Sequence, residues 1–284
     1  MTGWVFAPAK INLTLQVGRP RADGMHPLQS VVAFADVGDY VRAEAGDGLS
    51  LDVVGPFAAE LSGENLVLRA AAALRAAAGV QNGAALTLDK RLPIASGIGG
   101  GSSDAAAALK VCNELWRLNW NEEQLAAVAR PLGADVPVCL RTRSAYMTGA
   151  GESYAPLALP KCPAVLINPR TPLPTPAVYK EFDHLDLGET FVTMRAPIWS
   201  STDAMSEAIK LIGNDLQAPA QRLQPAIAEV CEVLSTESLA RCVSLSGSGA
   251  TVFALTRTEA DAVALAARVR ELRPTWWCEA TTLA

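Results

Sequence analysis

The sequence predicts an α+β protein of two domains, and three observations carry that prediction. Its 284 residues exceed the roughly 150 expected of a single domain. Strand patterns dominate the beginning of the chain, and alanine-rich helix patterns follow them. A proline-rich run from Pro156 to Pro176 then reads as a domain crossover, because proline removes ladder donors and ends regular elements. The border falls near residue 155, giving domains 1–155 and 156–284.

The elements follow in order. Ile11, Leu13, Leu15 and Val17 alternate with Asn12, Thr14 and Gln16, the period of a half-buried strand, with Lys10 on the polar face beside Asn12. Val31, Val32, Phe34, Val37 and Val41 mark a second strand, and Leu49 to Val53 a third after the turn Ala45-Gly46-Asp47-Gly48. Glu64-Asn65 opens a helix running to Ala78, which Gly79 ends. A strand from Ala85 to Leu88 leads to Leu92-Pro93, and Ala105, Ala108, Leu109 and Cys112 recur at helical spacing. Glu122 to Ala129 reads as a further helix. In the second block, helices near Ser206–Ile212 and Pro225–Leu234 precede short strands at Val243–Leu245 and Thr251–Leu255. The last helix starts at Thr258, with Asp261 three residues on completing a capping box.

Composition excludes several classes. Half the residues are apolar and 19% charged, which excludes disorder as the main state. The 24 basic and 29 acidic side chains give a net charge of −5, no footprint for a polyanion, so nucleic acid is not an expected partner. Apolar stretches are broken well before the roughly 18 residues a membrane span needs, and no basic, hydrophobic signal leads the chain. No membrane partner is expected, and the expected location is the cytoplasm. Six cysteines at 112, 139, 162, 231, 242 and 278 form no pair or cluster, so they read as buried thiols. With only His26 and His184, a histidine-rich metal site is excluded.

The most informative stretch is Pro93-Ile94-Ala95-Ser96-Gly97-Ile98-Gly99-Gly100-Gly101-Ser102-Ser103-Asp104, which passes directly into a helix with a hydroxyl cap. Its glycines permit close backbone approach, and a helix start aims unpaired N–H groups and partial positive charge outward, so a phosphate is the natural occupant. No Lys-Ser or Lys-Thr follows, so it is not a P-loop. Ser102 stands where the dinucleotide fingerprint needs glycine. No His-Arg-Asp or Asp-Phe-Gly accompanies it, so it is not a protein kinase.

These residues resemble the GHMP small-molecule kinases. The middle motif spans Pro93 to Ala106, Ser246-Gly247-Ser248-Gly249-Ala250-Thr251 is similar to the C-terminal glycine motif, and Pro8-Ala9-Lys10-Ile11-Asn12-Leu13 to the N-terminal one. The resemblance implies a two-domain fold, an ATP-binding mixed α/β domain followed by a ferredoxin-like α+β domain that contributes to the substrate site. Asp23-Gly24-Met25-His26 and Gly133-Ala134-Asp135-Val136-Pro137 narrow the resemblance to kinases of a cytidine-diphosphate conjugate. It implies ATP- and Mg²⁺-dependent phosphorylation of the 2-hydroxyl, a tertiary alcohol, of its methylerythritol unit, on the non-mevalonate route to isoprenoid precursors. The metal ligands stay unknown and the assembly is left as monomer or homodimer.

The same resemblance implies roles. Asp135 would deprotonate the alcohol, and Lys10 would keep Asp135 ionised and favour the alkoxide. Pro93 through Ser103 would bind the cofactor, the loop from Gly97 to Ser103 wrapping the ATP phosphates and Ser102 and Ser103 offering hydroxyls to phosphate or to Mg²⁺. Asn65 matches a position beside the adenine and reads equally as a helix cap. Asn12, Met25, His26, Thr175 and Tyr179 would meet the substrate: His26 reads cytosine, and Tyr179, which reads equally as core packing, stacks on it. Met25 stands where the family has tyrosine, and its thioether can still pack on a ring face. A GHMP kinase for a different small alcohol, or a non-catalytic nucleotide sensor, are the alternatives; retention of both Lys10 and Asp135 favours catalysis.

Overall fold

The structure, a computed structural model, describes residues 1–189 and 195–284. The described elements begin with β1 (Val5–Val17), β2 (Leu28–Glu44), β3 (Leu49–Val54), α1 (Leu66–Ala78), β4 (Ala84–Asp89), α2 (Gly100–Leu115), α3 (Glu122–Ala129) and α4 (Val136–Arg141). There follow β5 (Ala145–Thr148), β6 (Ser153–Pro156), β7 (Cys162–Asn168), α5 (Thr175–His184), α6 (Thr202–Ile212), α7 (Gln217–Leu223) and α8 (Ala226–Ser235). The chain ends with β8 (Cys242–Leu245), β9 (Val252–Leu255), α9 (Glu259–Leu272) and β10 (Trp277–Leu283). No helix among the described residues is long and apolar enough to cross a membrane.

The chain forms two compact units. One comprises Met1–Ala9, Gly38–Ile94 and Gly99–Thr142, the other Lys10–Val37, Ala95–Ile98 and Arg143–Ala284. A single border near residue 155 does not capture these units, because β1 and β2 each run through both.

In the first unit β3 lies parallel to β4, from Leu49↔Ala84 to Val54↔Asp89, with α1 as the connection. β4 pairs antiparallel with the second half of β2. α1 buries Val67, Ala70, Ala71 and Leu74, is capped by the Asn65 side chain on Val67 N–H, and ends on Gly79 at φ 64°. A buried leucine such as Leu74 contributes roughly 2 kcal/mol. α3 starts with the reciprocal Asn121–Gln124 capping box. The sequence placed hydroxyls at the cap of α2. Instead Gly99, at φ 63°, is the N-cap without a side-chain bond, and Ser102 and Ser103 fall within the first turn.

Beneath that turn sits a buried charge cluster. The Lys90 ammonium donates to Asp39 at 2.5 Å and to Asp104 at 2.8 Å. The other Asp39 oxygen accepts from the N–H groups of Arg91 and Leu92, whereas Asp104 Oδ1 has no partner. Burial pushes the Asp104 carboxyl up to about 7, against the attraction of Lys90 and with the help of repulsion from Asp39. Burial alone would lower Lys90, but the two carboxylates outweigh it and its pKa is raised. The unfolded chain releases the Asp104 proton near its ordinary 3.8 and the folded chain only near 7, so this residue costs stability as pH rises across that interval. Asp104→Asn, which leaves Lys90 paired with Asp39, is therefore expected to gain about 3 °C in Tm over the parent at pH 8 and to match it at pH 4. Thermal melts at the two values check this, and a difference independent of pH would contradict it.

In the second unit, β7, β8, β9 and β10 form an antiparallel sheet in the order β10-β7-β9-β8, the 4-1-3-2 arrangement of a ferredoxin-like domain. α8 and α9 bury Ile227, Val230, Leu234, Leu265, Ala266 and Val269 in a core shared with Val165, Ile167, Val252 and Ala254. The proline-rich run that read as a crossover contains β7, a central strand. Pro163 is tolerated there because pairing with β9 begins at Ala164, and the Pro163 carbonyl accepts from Thr256 N–H. The first half of β2 pairs with β5, which pairs with β6.

The polar face of β1, expected to be half exposed, is buried. Lys10, Asn12 and Thr14 are 4%, 6% and 3% exposed. Asn12 donates to Ser30 Oγ at 2.7 Å, and Ser30 Oγ to the Thr14 carbonyl at 2.6 Å. The cysteines are free thiols; burial pushes Cys112, Cys242 and Cys278 up to about 12, as inert core packing requires.

Candidate active site

Within the second unit, all three glycine-associated motifs are tied together by hydrogen bonds. The carbonyls of Ser96, Gly97 and Ile98 accept from Thr251 N–H, Ser246 Oγ and Lys10 N–H at 3.0, 3.0 and 2.8 Å. Ser246 Oγ in turn accepts from Asn12 N–H at 3.1 Å. The Ala95 carbonyl accepts from Leu173 N–H at 3.4 Å. Asn168 holds the Thr251 hydroxyl, and Asn214 holds the carbonyls of Leu245 and Gly247, fixing the C-terminal motif from behind. Four successive carbonyls are thus spent on protein partners. Gly97 explains its own identity: at φ 74°, a Cβ there would lie 2.5 to 2.6 Å from backbone atoms of Ser246 and Gly249. Only glycine lets the two loops touch.

In the first unit the N-terminus of α2 carries no side-chain cap, so the N–H groups of Gly100, Gly101 and Ser102 have no intrahelical partner. Ser102 is half-buried at this edge. The buried Ser103 hydroxyl donates to the Pro8 carbonyl at 2.7 Å, a use the sequence did not reveal. A Cβ on Gly101 would meet only Leu66 Cδ1, at 3.6 Å. Pro93 is buried and Ile94 half-buried. Asn65 is the cap of α1 and also lines a pocket of about 550 Å³ with Leu49, Leu51, Val53, Leu68 and Arg69. Asp135 is the residue before α4, and its side chain makes no capping bond to that helix.

The predicted base-binding residues lie in the second unit. His26 is nearly buried, with its ring 5.0 Å from that of Tyr179 and 5.9 Å from that of Phe182. Its Nδ1 lies 2.9 Å from the Gly18 carbonyl and its Nε2 3.4 Å from Asp183 Oδ2. Met25 is 48% exposed, and its N–H donates to Asp23, whose exposed carboxyl this bond holds below the usual range. Thr175, the first residue of α5, meets the Ser248 hydroxyl at 2.8 Å. The structure therefore joins Asn12 and Lys10 to the glycine loop, His26 to Tyr179, and Thr175 to the C-terminal motif. Lys10 belongs to the second unit and Asp135 to the first. Sequence reasoning left Ser246, Ser248 and Thr251 off the site although their glycine-serine run was itself a signal. Nothing local marks Asp183 or the Lys90 cluster, whose partners are distant in sequence.

Comparison with known proteins agrees with this geometry. The family described as GHMP kinases N terminal domain matches residues 65–143, and the one described as GHMP kinases C terminal matches residues 200–274. The chain is 49% identical to a 4-diphosphocytidyl-2-C-methyl-D-erythritol kinase from Cereibacter sphaeroides, over 98% of each chain. It is 45% identical to one from Bradyrhizobium diazoefficiens, over 97% of this chain and 96% of that one. A crystal structure of 4-(cytidine 5'-diphospho)-2C-methyl-D-erythritol kinase superposes with a TM-score of 0.79 at 36% identity, covering 99% of both chains. A homoserine kinase at 18% identity and TM-score 0.70 shares the fold. A chain whose three motifs meet in this way, and which matches these relatives from end to end, belongs to the GHMP kinase family and, within it, to the 4-diphosphocytidyl-2-C-methyl-D-erythritol kinases.

Proposed function

We propose that this enzyme transfers the γ-phosphoryl group of ATP to the 2-hydroxyl of 4-diphosphocytidyl-2-C-methyl-D-erythritol, in the cytoplasm, as a step in making isoprenoid precursors. The observation that carries the reading is the knot of hydrogen bonds among Lys10, Asn12, Ser96–Ile98 and Ser246–Thr251. Within the first unit, the uncapped first turn of α2 offers N–H donors to the phosphates. The pocket lined by Asn65 has the size for a purine, and Asn65 serves there both as cap and as wall.

Phosphoryl transfer is mostly positioning and charge stabilisation. Asp135 accepts the proton of the attacking alcohol, which then forms the O–P bond as the bond to the β-phosphate oxygen of ADP breaks. Lys10 supplies the positive charge that steadies the alkoxide. A tertiary alcohol is crowded, so orientation by these two groups matters more than for a primary one. The donor set fits a metal that arrives on the nucleotide: among the described residues no group of three or more His, Cys, Asp or Glu side chains could hold one, and Ser102 is the hydroxyl at the open helix start. The Ser102 hydroxyl would meet a Mg²⁺ carried in with ATP, which when bound would supply charge neutralisation to the phosphate oxygens. His26, Tyr179, Thr175 and Met25 form the cytidine side of the site. The division near residue 155 is retained in sequence as an ATP-binding part, 1–155, which also carries Met25 and His26, and a part, 156–284, that contributes Thr175 and Tyr179 to the substrate site.

Coupled ADP release tests the reading with the cytidylyl substrate beside mevalonate, homoserine and galactose. Turnover is expected with the first alone. Turnover of another alcohol and none of the cytidylyl substrate would assign a different specificity.

A further inference from the structure

We infer that Asp183 is a specificity-determining residue, which gives the base pocket a negative edge that favours cytosine over uracil. The inference rests on the reading of His26 and Tyr179 as the pyrimidine site. α5 places Tyr179, Phe182 and Asp183 three and four residues apart, hence on one face, and all three meet the His26 ring. Tyr179 and Phe182 confine it from the sides, at ring separations of 5.0 and 5.9 Å.

The ring nitrogens are then placed by chemistry. Gly18 offers a carbonyl, which only accepts, so Nδ1 carries a proton toward it at 2.9 Å. Nε2 is left facing the Asp183 carboxylate at 3.4 Å. The two in-plane nitrogens thus face protein groups, Nδ1 the Gly18 carbonyl and Nε2 the Asp183 carboxylate, and the imidazole offers a base its position and its face. Asp183 itself is not consumed by this contact. Its side chain is 45% exposed while that of His26 is 9% exposed, so the carboxylate stands at the open side of the ring pair. A pyrimidine stacked on Tyr179 there turns its edge toward a negative acceptor. Cytosine presents a 4-amino donor at that edge and uracil a 4-oxo acceptor, so the carboxylate attracts one and repels the other.

The test uses cytidine and uridine diphosphates as inhibitors competitive with the cytidylyl substrate at saturating ATP. Asp183→Asn keeps the size of the side chain, removes the charge and adds an amide donor able to meet a 4-oxo group. Its ratio of uridine to cytidine inhibition constants is expected to fall about fivefold, the scale of a half-exposed charge contact. Asp186→Asn, which breaks the exposed Arg19–Asp186 pair just beyond the same helix, is expected to keep the parental ratio, so a general loosening of α5 is distinguished. If Asp183→Asn keeps the parental ratio while His26→Ala loses it, Asp183 does not set specificity and the pocket reading stands. If His26→Ala also keeps the ratio, the pocket reading itself fails and the inference with it.

Discussion

Replacement of Asp135 by asparagine is expected to lower kcat about 10³-fold, within the range for removing a general base, while ATP affinity stays within about twofold. Asparagine has the shape of aspartate but cannot take up the proton of the attacking alcohol. Two structural facts make the experiment clean. Asp135 stands at the N-cap position of α4 at φ −82° and ψ −18°, an ordinary conformation for either residue, and its side chain makes no capping bond there. The loss of charge is therefore not accompanied by the loss of a helix cap. The phosphate-binding donors lie elsewhere, on the loop and the first turn of α2. Coupled ADP release gives kcat, and equilibrium binding of ATP gives the affinity. An Asp135→Asn protein with normal ATP binding and unchanged turnover would remove the proposed mechanism. Lys10→Met extends the test: Lys10 is 4% exposed, and its backbone N–H, which the substitution leaves intact, makes the bond to Ile98. A fall in kcat in that variant reports on the ammonium rather than on the architecture of the loop.

What the sequence made legible divides along a physical line. Features written in neighbouring residues were readable: the Gly79 stop of α1, the span Glu122–Ala129 of α3, and the Thr258–Asp261 box that opens α9 with both of its bonds in place. The glycine loop was readable because its composition is costly to keep without a ligand. Features that depend on distant partners were not. β7 was hidden by Pro160 and Pro163, since only its registers reveal that Pro163, opposite Thr282 of β10, precedes the residues paired with β9. β10 opens on Trp277 directly after Trp276, and only its seven paired residues against β7 define it. At the site, Ser103 read as a phosphate ligand, but its hydroxyl is turned onto the Pro8 carbonyl. His26 read as a donor and acceptor for a base, but its Nδ1 lies on the Gly18 carbonyl and its Nε2 faces Asp183. In each case the hydrogen-bond partner, distant in sequence, was the unknown.

Alanine at Gly97 and alanine at Gly101 should have opposite effects, although both remove a glycine from the same motif. At Gly97 the backbone is at φ 74°, and the nearest atoms to a new Cβ are the Ser246 carbonyl oxygen at 2.5 Å and the Gly249 N and O at 2.6 Å. All are backbone atoms, so no rotamer change relieves the overlap, and the hydrogen bonds of Ser96 and Gly97 to Thr251 and Ser246 must shift with it. Overpacking together with left-handed strain costs about 3 kcal/mol, which lowers Tm by roughly 6–12 °C in a chain of this size. At Gly101 the nearest atom is a leucine methyl at 3.6 Å, an ordinary contact, and the residue lies inside α2. Alanine is the better helix former there by up to about 1 kcal/mol, so Tm should hold or rise slightly. The same Cβ, however, projects where a phosphate must approach the backbone, and KM for ATP is expected to increase about tenfold. Thermal melts and ATP titrations on the two proteins separate the glycine needed for loop packing from the glycine needed for the ligand. A Gly97→Ala protein with the parental Tm would contradict the packing of the loop on the C-terminal motif. A Gly101→Ala protein with the parental KM would take the phosphate away from the start of α2.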